Sequence, residues 1–458
     1  MKQNRLDRSR IPDPGSLRPF RFPPIDRFQL SNGLPVLAAR TESLPVVTYS
    51  LLLPAGAIHE AGRDAGLASL VGSLLESGTG SMDAAAIAER LETLGVRMHV
   101  GTSWEVSRVD FTALSAKAGE AAQVVATLVG DPTFPEGEVE RIRHQQLASI
   151  MQRRAEPRGL ANEMVARYVF SEDTPFSRPL VGTPRSVAQL SREKAMSFHA
   201  DYFTPMGASL IVAGNLTSDE MRTTTEVAFG EWTGDAAVKL PTVVEARSDT
   251  THVVIIERPG AVQSEIRIGH VGVPRNSPDY FPILVLNTVL GGAFSSRLNL
   301  NLREKHGFTY GANSRFVMRR RPGPFIVSAA VQSEVTGRAI EETLNELHRI
   351  REAEIRPDEL ADARQYVAGT FPLRLETTDG VASRLAELAI YDLPDSYLDD
   401  FAERVLAVTA DEVLQAARQH IHPDRLAIVI VGDPDPLRPQ LESLNLGPIE
   451  AVRPESNE

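Results

Sequence analysis

Cysteine is absent from the 458 residues. That removes disulfides, thiolate nucleophiles and cysteine-ligated metals, and leaves the compartment open. No apolar run approaches the ~20 residues a membrane span needs, so a membrane is not an expected partner. The opening stretch Met1-Lys-Gln-Asn-Arg-Leu-Asp-Arg-Ser-Arg10 is polar and leads into no apolar segment of the kind a secretory leader carries. As written, the sequence is expected to be cytoplasmic; one trimmed of an export signal would read the same and would be periplasmic. Positive charge is outnumbered, 48 Lys and Arg against 60 Asp and Glu, for a formal net charge of −12. That balance argues against nucleic acid or anionic lipid as the main partner.

What is present is a soluble globular composition, 42% hydrophobic and 24% charged. The chain is too long for one ordinary core, and two or more domains are expected. Residues 1–27, with five prolines between Pro12 and Pro24, read as an extended arm. An N-terminal domain is expected over 28–231, a linker over 232–248, a C-terminal domain over 249–445 and a tail over 446–458. Phe28-Gln-Leu-Ser-Asn-Gly-Leu-Pro-Val-Leu-Ala38 alternates around Asn32-Gly33, a hairpin signal. A strand at Val46 to Leu53, a helix over 82–94 capped by Ser81, strands near 96–103 and 105–114, and helices near 117–130, 136–155 and 157–169 follow. A helix near 191–201, a strand at Ala208 to Gly214 and a helix from Thr217 complete the first half. The second half repeats the order: strands at 252–257 and 265–270, one long helix from Phe281 to about Lys305, strands at 309–317 and 324–332, a helix at 335–351 and several more between 357 and 419. It closes on Leu426-Ala-Ile-Val-Ile-Val-Gly-Asp433, which echoes Leu210-Ile-Val-Ala-Gly-Asn215. One order of elements in two halves of about 200 residues points to a duplicated α+β unit.

The stretch Gly66-Leu-Ala-Ser-Leu-Val-Gly-Ser-Leu-Leu-Glu-Ser-Gly-Thr79 has helical spacing, with Leu67, Leu70, Val71, Leu74 and Leu75 on one face. Ser69, Gly72, Ser73 and Glu76 share the other face. An inverted zinc motif, H-x-x-E-H, would need histidines at 69 and 73 and a glutamate at 72. Zinc requires nitrogen, thiolate or carboxylate donors, and a catalytic site keeps three protein ligands. Serine hydroxyls bind zinc poorly, glycine cannot take a proton from a metal-bound water, and Glu76 alone reads as a solvated or capping acid.

Four segments give this chain its resemblance to the peptidase family of pitrilysin, insulysin and mitochondrial processing peptidase. Leu30-Ser-Asn-Gly-Leu-Pro-Val36 looks like the family's opening hairpin. Pro54-Ala-Gly-Ala-Ile-His-Glu60, with Gly66-Leu-Ala68 and Glu76-Ser-Gly-Thr79, looks like the frame around its zinc helix. Ser177-Arg-Pro-Leu-Val-Gly-Thr183 is similar to its Arg-Pro-x-x-Gly-Thr stretch. Leu290-Gly-Gly-Ala-Phe-Ser-Ser-Arg-Leu298 with Leu302-Arg-Glu-Lys-His-Gly-Phe-Thr-Tyr310 is similar to the most recognisable part of its second domain.

The resemblance implies two tandem homologous domains, each a mostly antiparallel sheet covered by helices. It places the two zinc-binding histidine positions at Ser69 and Ser73, the general base at Gly72 and the distal glutamate at Ser149, 76 residues after Ser73. All four are lost, so this chain is expected to bind no cofactor and to show no activity alone. The resemblance further implies that Arg303 holds a substrate carbonyl or carboxylate and that Tyr310 donates a hydrogen bond to a developing oxyanion. A bland reading competes: Arg303 as a cation in the last turn of a helix, Gly307 as its cap, and Tyr310 as the start of a strand. The implied partners are unfolded peptide and a homologous zinc-binding subunit with an intact H-x-x-E-H, the two chains closing around a chamber. Peptide would add there as a strand to an exposed sheet edge of the N-terminal unit. A homodimeric peptide-binding module and a structural scaffold are the alternatives.

Other constellations carry less. His59 with Glu60, and His420 with His422, lack the companions a metal site needs. Arg319-Arg-Arg321 before Pro322-Gly323 is expected to be the solvated tip of a hairpin. Gly291-Gly292 lies within a helical pattern, which is not the context of a phosphate loop.

Overall fold

Val46–Leu53 is buried on both faces, which suits an interior strand. In the computed structural model, which describes residue 15 and residues 20–234 and 244–454, it lies between two neighbours near the middle of a six-stranded sheet. The strands of the first sheet are β1 (Ile25–Gln29), β2 (Pro35–Arg40), β3 (Val46–Leu53), β4 (Arg97–Thr102), β5 (Ser107–Leu114) and β6 (Ser209–Gly214), in the order β1-β2-β6-β3-β5-β4. A second sheet holds β7 (His252–Glu257), β8 (Gln263–Val271), β9 (Ala312–Phe316), β10 (Pro324–Gln332), β11 (Ala427–Gly432) and β12 (Ile449–Val452), in the order β12-β7-β11-β8-β10-β9.

The duplication is plain in the connectivity. β2 runs parallel to β6 as β7 does to β11, and the next three strands in each sheet pair antiparallel. The outer edges differ. β1 enters from the N-terminal side and pairs antiparallel with β2, whereas β12, inside the stretch expected to be a tail, pairs in parallel with β7. The α+β class with two homologous units therefore holds.

Alternation with period two lets each sheet bury both faces. In β2, Val36 and Ala38 face the core of their own half, while Leu37 and Ala39 join the core of the other. In β7, Val253 and Ile255 face inward and Val254 and Ile256 face a third cluster with Leu160 and Val165. The helices that cover these second faces are exchanged. Thr378–Tyr391, from the second half, packs on β3 and β6, and Pro157–Val169, from the first, packs on β8 and β11. Each fully buried Leu or Ile in these contacts contributes about 2 kcal/mol, so neither sheet is complete without the other half's helix.

Several expectations need correction. Asp83, not Ser81, caps the helix Ala84–Leu94, its carboxylate accepting the Ala86 amide at 2.9 Å. The long helix from Phe281 is broken: Tyr280–Asn287 continues into a π-type stretch Thr288–Gly292, Ala293 is extended, and a short turn Arg297–Asn299 leads into a second π-type stretch Leu300–Lys305. β9 passes close to the break: a Cβ on Gly291 would stand 2.4 Å from the Ser314 amide nitrogen, so only glycine fits there. By length and composition Tyr280–Lys305 could cross a bilayer, yet it buries Phe281, Ile283, Leu290, Leu298 and Leu302 in the second core.

The arginine tip is docked on the first half rather than free, although the Arg320 side chain stays exposed. The Glu105 carboxylate of the first half accepts the Arg320 and Arg321 amides at 2.9 and 3.1 Å, and the Arg319 guanidinium lies over the Phe176 ring at 4.5 Å. Partners this far away in sequence leave no local signal. The arm is described only at residue 15 and from residue 20 onward: Phe22 is buried in the second core and its amide donates to Asp399. Much of the 1–27 segment and of the expected linker lies outside the described residues.

Candidate functional site

The serine-bearing helix spans Leu67–Leu74. It starts at Gly66, whose φ of 95° only glycine adopts without cost, and a Cβ there would stand 2.6 Å from the Val181 carbonyl oxygen. Glu60 satisfies two of the helix's orphan amides, Gly66 at 3.0 Å and Ala68 at 2.7 Å. Its carboxyl is buried, and burial pushes its pKa up to about 7 despite these donors and the Arg178 guanidinium. Gln146, on the helix Glu136–Ala155, donates to the carbonyls of Gly66 and Val181, and Ser186 donates to that of Ala65. The Arg178-to-Thr183 stretch is thus a strap: Gly182 runs so close that a Cβ would meet the Ala65 carbonyl oxygen at 2.2 Å.

The opposite face of this helix carries the degenerate positions. Ser69 is half-buried, and Ser73 is exposed and donates to the Ser69 carbonyl at 3.0 Å. Gly72 is buried against β4, where a Cβ would meet Val100 and Thr102 at 3.0 and 3.2 Å. Ser149 is exposed on the helix Glu136–Ala155, one turn beyond Gln146, and that helix packs against the serine helix. Two hydroxyls and a glycine on one helix, with a third hydroxyl on its neighbour, do not fit a zinc ion. Among the described residues no group of three or more His, Cys, Asp or Glu is placed to hold a metal.

Arg303 and Tyr310 lie in the second half. The Arg303 side chain is 37% exposed, pairs with Glu304 at 3.3 Å and sits over the Phe294 ring at 4.6 Å. Gly307 has φ 64° and its amide donates to the Arg303 carbonyl, so the helix-cap geometry of the bland reading is present as well. Tyr310 is 95% exposed, in the loop before β9. Among the described residues no hydrogen bond, ion pair or ring contact joins Arg303 or Tyr310 to Ser69, Ser73 or Ser149.

Buried Asn299 ties the two loops together. It donates to the Phe294 carbonyl at 2.6 Å and accepts the Ala312 amide at 3.3 Å, two residues after Tyr310. Sequence reasoning missed Asn299, Phe294 and the capping role of Glu60. For Phe294, an aromatic side chain beside Gly291-Gly292 was the only available signal. His420 does have a carboxylate partner, Asp279 at 2.7 Å, which makes it a packing residue of the second half.

A duplicated α+β chain with the frame of a zinc-peptidase helix, and an arginine and a tyrosine displayed from its second half, defines a peptidase-like protein. The chain belongs to peptidase family M16. Residues 35–184 match the family model described as insulinase (peptidase family M16), and residues 189–367 match that described as peptidase M16 inactive domain. The uncharacterized zinc protease YmxG of Bacillus subtilis is 24% identical over 398 residues, 86% of this chain and 95% of that protein. The uncharacterized zinc protease Rv2782c of Mycobacterium tuberculosis is 26% identical over 414 residues, 89% of this chain and 92% of that protein. Among solved structures, a peptidase M16 inactive domain from Pseudomonas fluorescens superposes with a TM-score of 0.83 at 26% identity, covering 89% of this chain and 98% of that one. A protease from Helicobacter pylori gives 0.82 at 19% identity over 89% and 99%, a likeness of fold alone.

Proposed function

We propose that this chain is the non-catalytic, substrate-binding subunit of a heterodimeric zinc metallopeptidase, with a homologous subunit carrying an intact H-x-x-E-H as its partner. One observation carries the reading: the helix Leu67–Leu74 keeps its glycine start and Glu60 cap, while Ser69, Gly72 and Ser73 stand where the family resemblance sets the metal-facing side chains. The near-complete exposure of Tyr310 adds support, since a tyrosine left in water within its own chain is free to work in another. In this reading hydrolysis belongs to the partner. Arg303, steadied by Phe294, holds a carbonyl or carboxylate of the peptide, and Tyr310 donates its hydroxyl hydrogen to the carbonyl oxygen as charge develops on it. Peptide adds along β4, the edge strand beside Gly72. A scaffold would have no use for a displayed Arg and Tyr.

Purified alone, the chain is expected to hold no stoichiometric zinc and to cleave no peptide. Mixed with its zinc-bearing partner, it is expected to raise cleavage by orders of magnitude. Zinc-dependent turnover by the lone chain would overturn the assignment.

A further inference from the structure

Docking of the Arg319-to-Arg321 segment against the first half leaves a cleft of about 570 Å³ between the halves. Trp104 and Phe176 wall it, and Arg153, Arg178, Arg315 and Arg319 line it. In a chain of net charge −12, this concentration of guanidinium groups stands out against the average surface.

Their charge is poorly matched from within the chain. Arg319 stacks over Phe176 and Trp104 at 4.5 and 5.6 Å, and its Nη1 is buried with no hydrogen-bond partner. Arg315 is exposed on the edge strand β9, with no ion pair or hydrogen bond from its side chain among the described residues. Arg178 directs its donors to the carbonyls of Glu60 and Pro175. The carboxylates nearby are engaged: Arg154 holds Glu163 at 2.6 Å, and Glu105, whose charge acts on Arg319 without a direct bond to it, gives its oxygens to two backbone amides. A buried donor without an acceptor is costly, and a guanidinium fork suits a carboxylate. Aromatic walls suit an apolar side chain beside it.

We propose that this cleft is a binding site for a carboxylate carried next to an apolar side chain, foremost the C-terminal end of a peptide. That the ligand is a peptide rests on the proposed function; the preference for a carboxylate rests on the cleft alone. The strap residues Arg178 to Val181 both line the cleft and hold the serine helix, so a chain end seated here leaves the preceding residues beside that helix.

The chain has two tryptophans, Trp104 and Trp232, so Trp232→Phe leaves Trp104 as the sole emitter, inside the cleft. The full chain with that substitution would be titrated with an acetylated tetrapeptide ending in free phenylalanine, with its C-terminal amide, and with an amidated tetrapeptide carrying an internal glutamate before phenylalanine. The free acid is expected to shift Trp104 emission and to bind about tenfold or more tighter than the amide. Arg315→Gln, at an exposed position of the edge strand, and Arg319→Gln are each expected to erase most of that difference. Tight binding by the free acid identifies a chain end, and tight binding by the glutamate peptide alone identifies a side chain; both support the site. Equal affinity for the neutral amide, or no response of Trp104 to any of the three, overturns it. No partner subunit enters this measurement, so its failure and a failure of the heterodimer reading are separable.

Discussion

Glu60 Oε1 accepts a hydrogen bond from the Ala68 amide at 2.7 Å, which makes a buried acid the cap of the helix that carries Ser69, Gly72 and Ser73. Burial raises this carboxyl to about 7 from an ordinary value near 4.5, with the Ala68 and Gly66 amides pulling the other way. Between those pH values the folded chain holds a proton that the unfolded chain has released. The stabilisation is therefore full below about pH 4.5 and is lost as pH rises through 7, a change of about 3 kcal/mol at 1.36 kcal/mol per unit. Glu60→Gln is neutral throughout. Urea unfolding should show this variant less stable than the parent at pH 5, with the gap closing by about 3 kcal/mol toward pH 8. A gap independent of pH would mean Glu60 is ionised across the range.

Glu105 closes the contact between the halves by accepting the Arg320 and Arg321 amides. Glu105→Ala leaves two backbone donors without an acceptor and removes a carboxylate whose charge acts on Arg319, and should cost about 3 kcal/mol. Glu105→Gln keeps an acceptor and should cost less. Denaturant unfolding of both variants would rank them, and equal costs would show that the charge, not the acceptor, matters.

These residues also mark where sequence reading stops. Most strands and helices were legible because burial writes period two or period 3.6 into the chain, as in Ser107–Leu114 and Thr336–Glu352. That Ser69, Gly72 and Ser73 share one helix could be read because the leucines around them keep helical spacing, and the helix is there as Leu67–Leu74. The exchanged helices, the Glu105 contact and the strap at Arg178 could not be found that way. Each joins residues dozens to hundreds apart, and a hydrogen bond across such a distance leaves no periodic trace. The close approach at Gly291 was hidden for a related reason: what requires glycine there is Ser314, on a different element.

Asn299 offers a test of how the displayed loops are held. Asn299→Ala removes the bonds to the Phe294 carbonyl and the Ala312 amide from a buried position, and should cost about 2 kcal/mol. In the mixed enzyme it should also lower kcat/KM, because Phe294 beneath Arg303 and the loop bearing Tyr310 would both be freed. Unchanged cleavage by a folded Asn299→Ala chain would show that the two loops need no common anchor.

Tyr310 separates a catalytic role from a merely architectural one. At 95% exposure its hydroxyl supports nothing in its own chain, so Tyr310→Phe should leave unfolding free energy unchanged to within about 0.5 kcal/mol. In the mixed enzyme the same change should lower kcat by about a hundredfold and move KM little, the pattern of a donor engaged only as charge develops on the substrate oxygen. Arg303→Gln should instead raise KM as well, because a guanidinium that holds the substrate acts in the ground state too. A Tyr310→Phe chain that supports full cleavage would remove the donated hydrogen bond from the mechanism and leave this subunit the task of enclosing and gripping peptide.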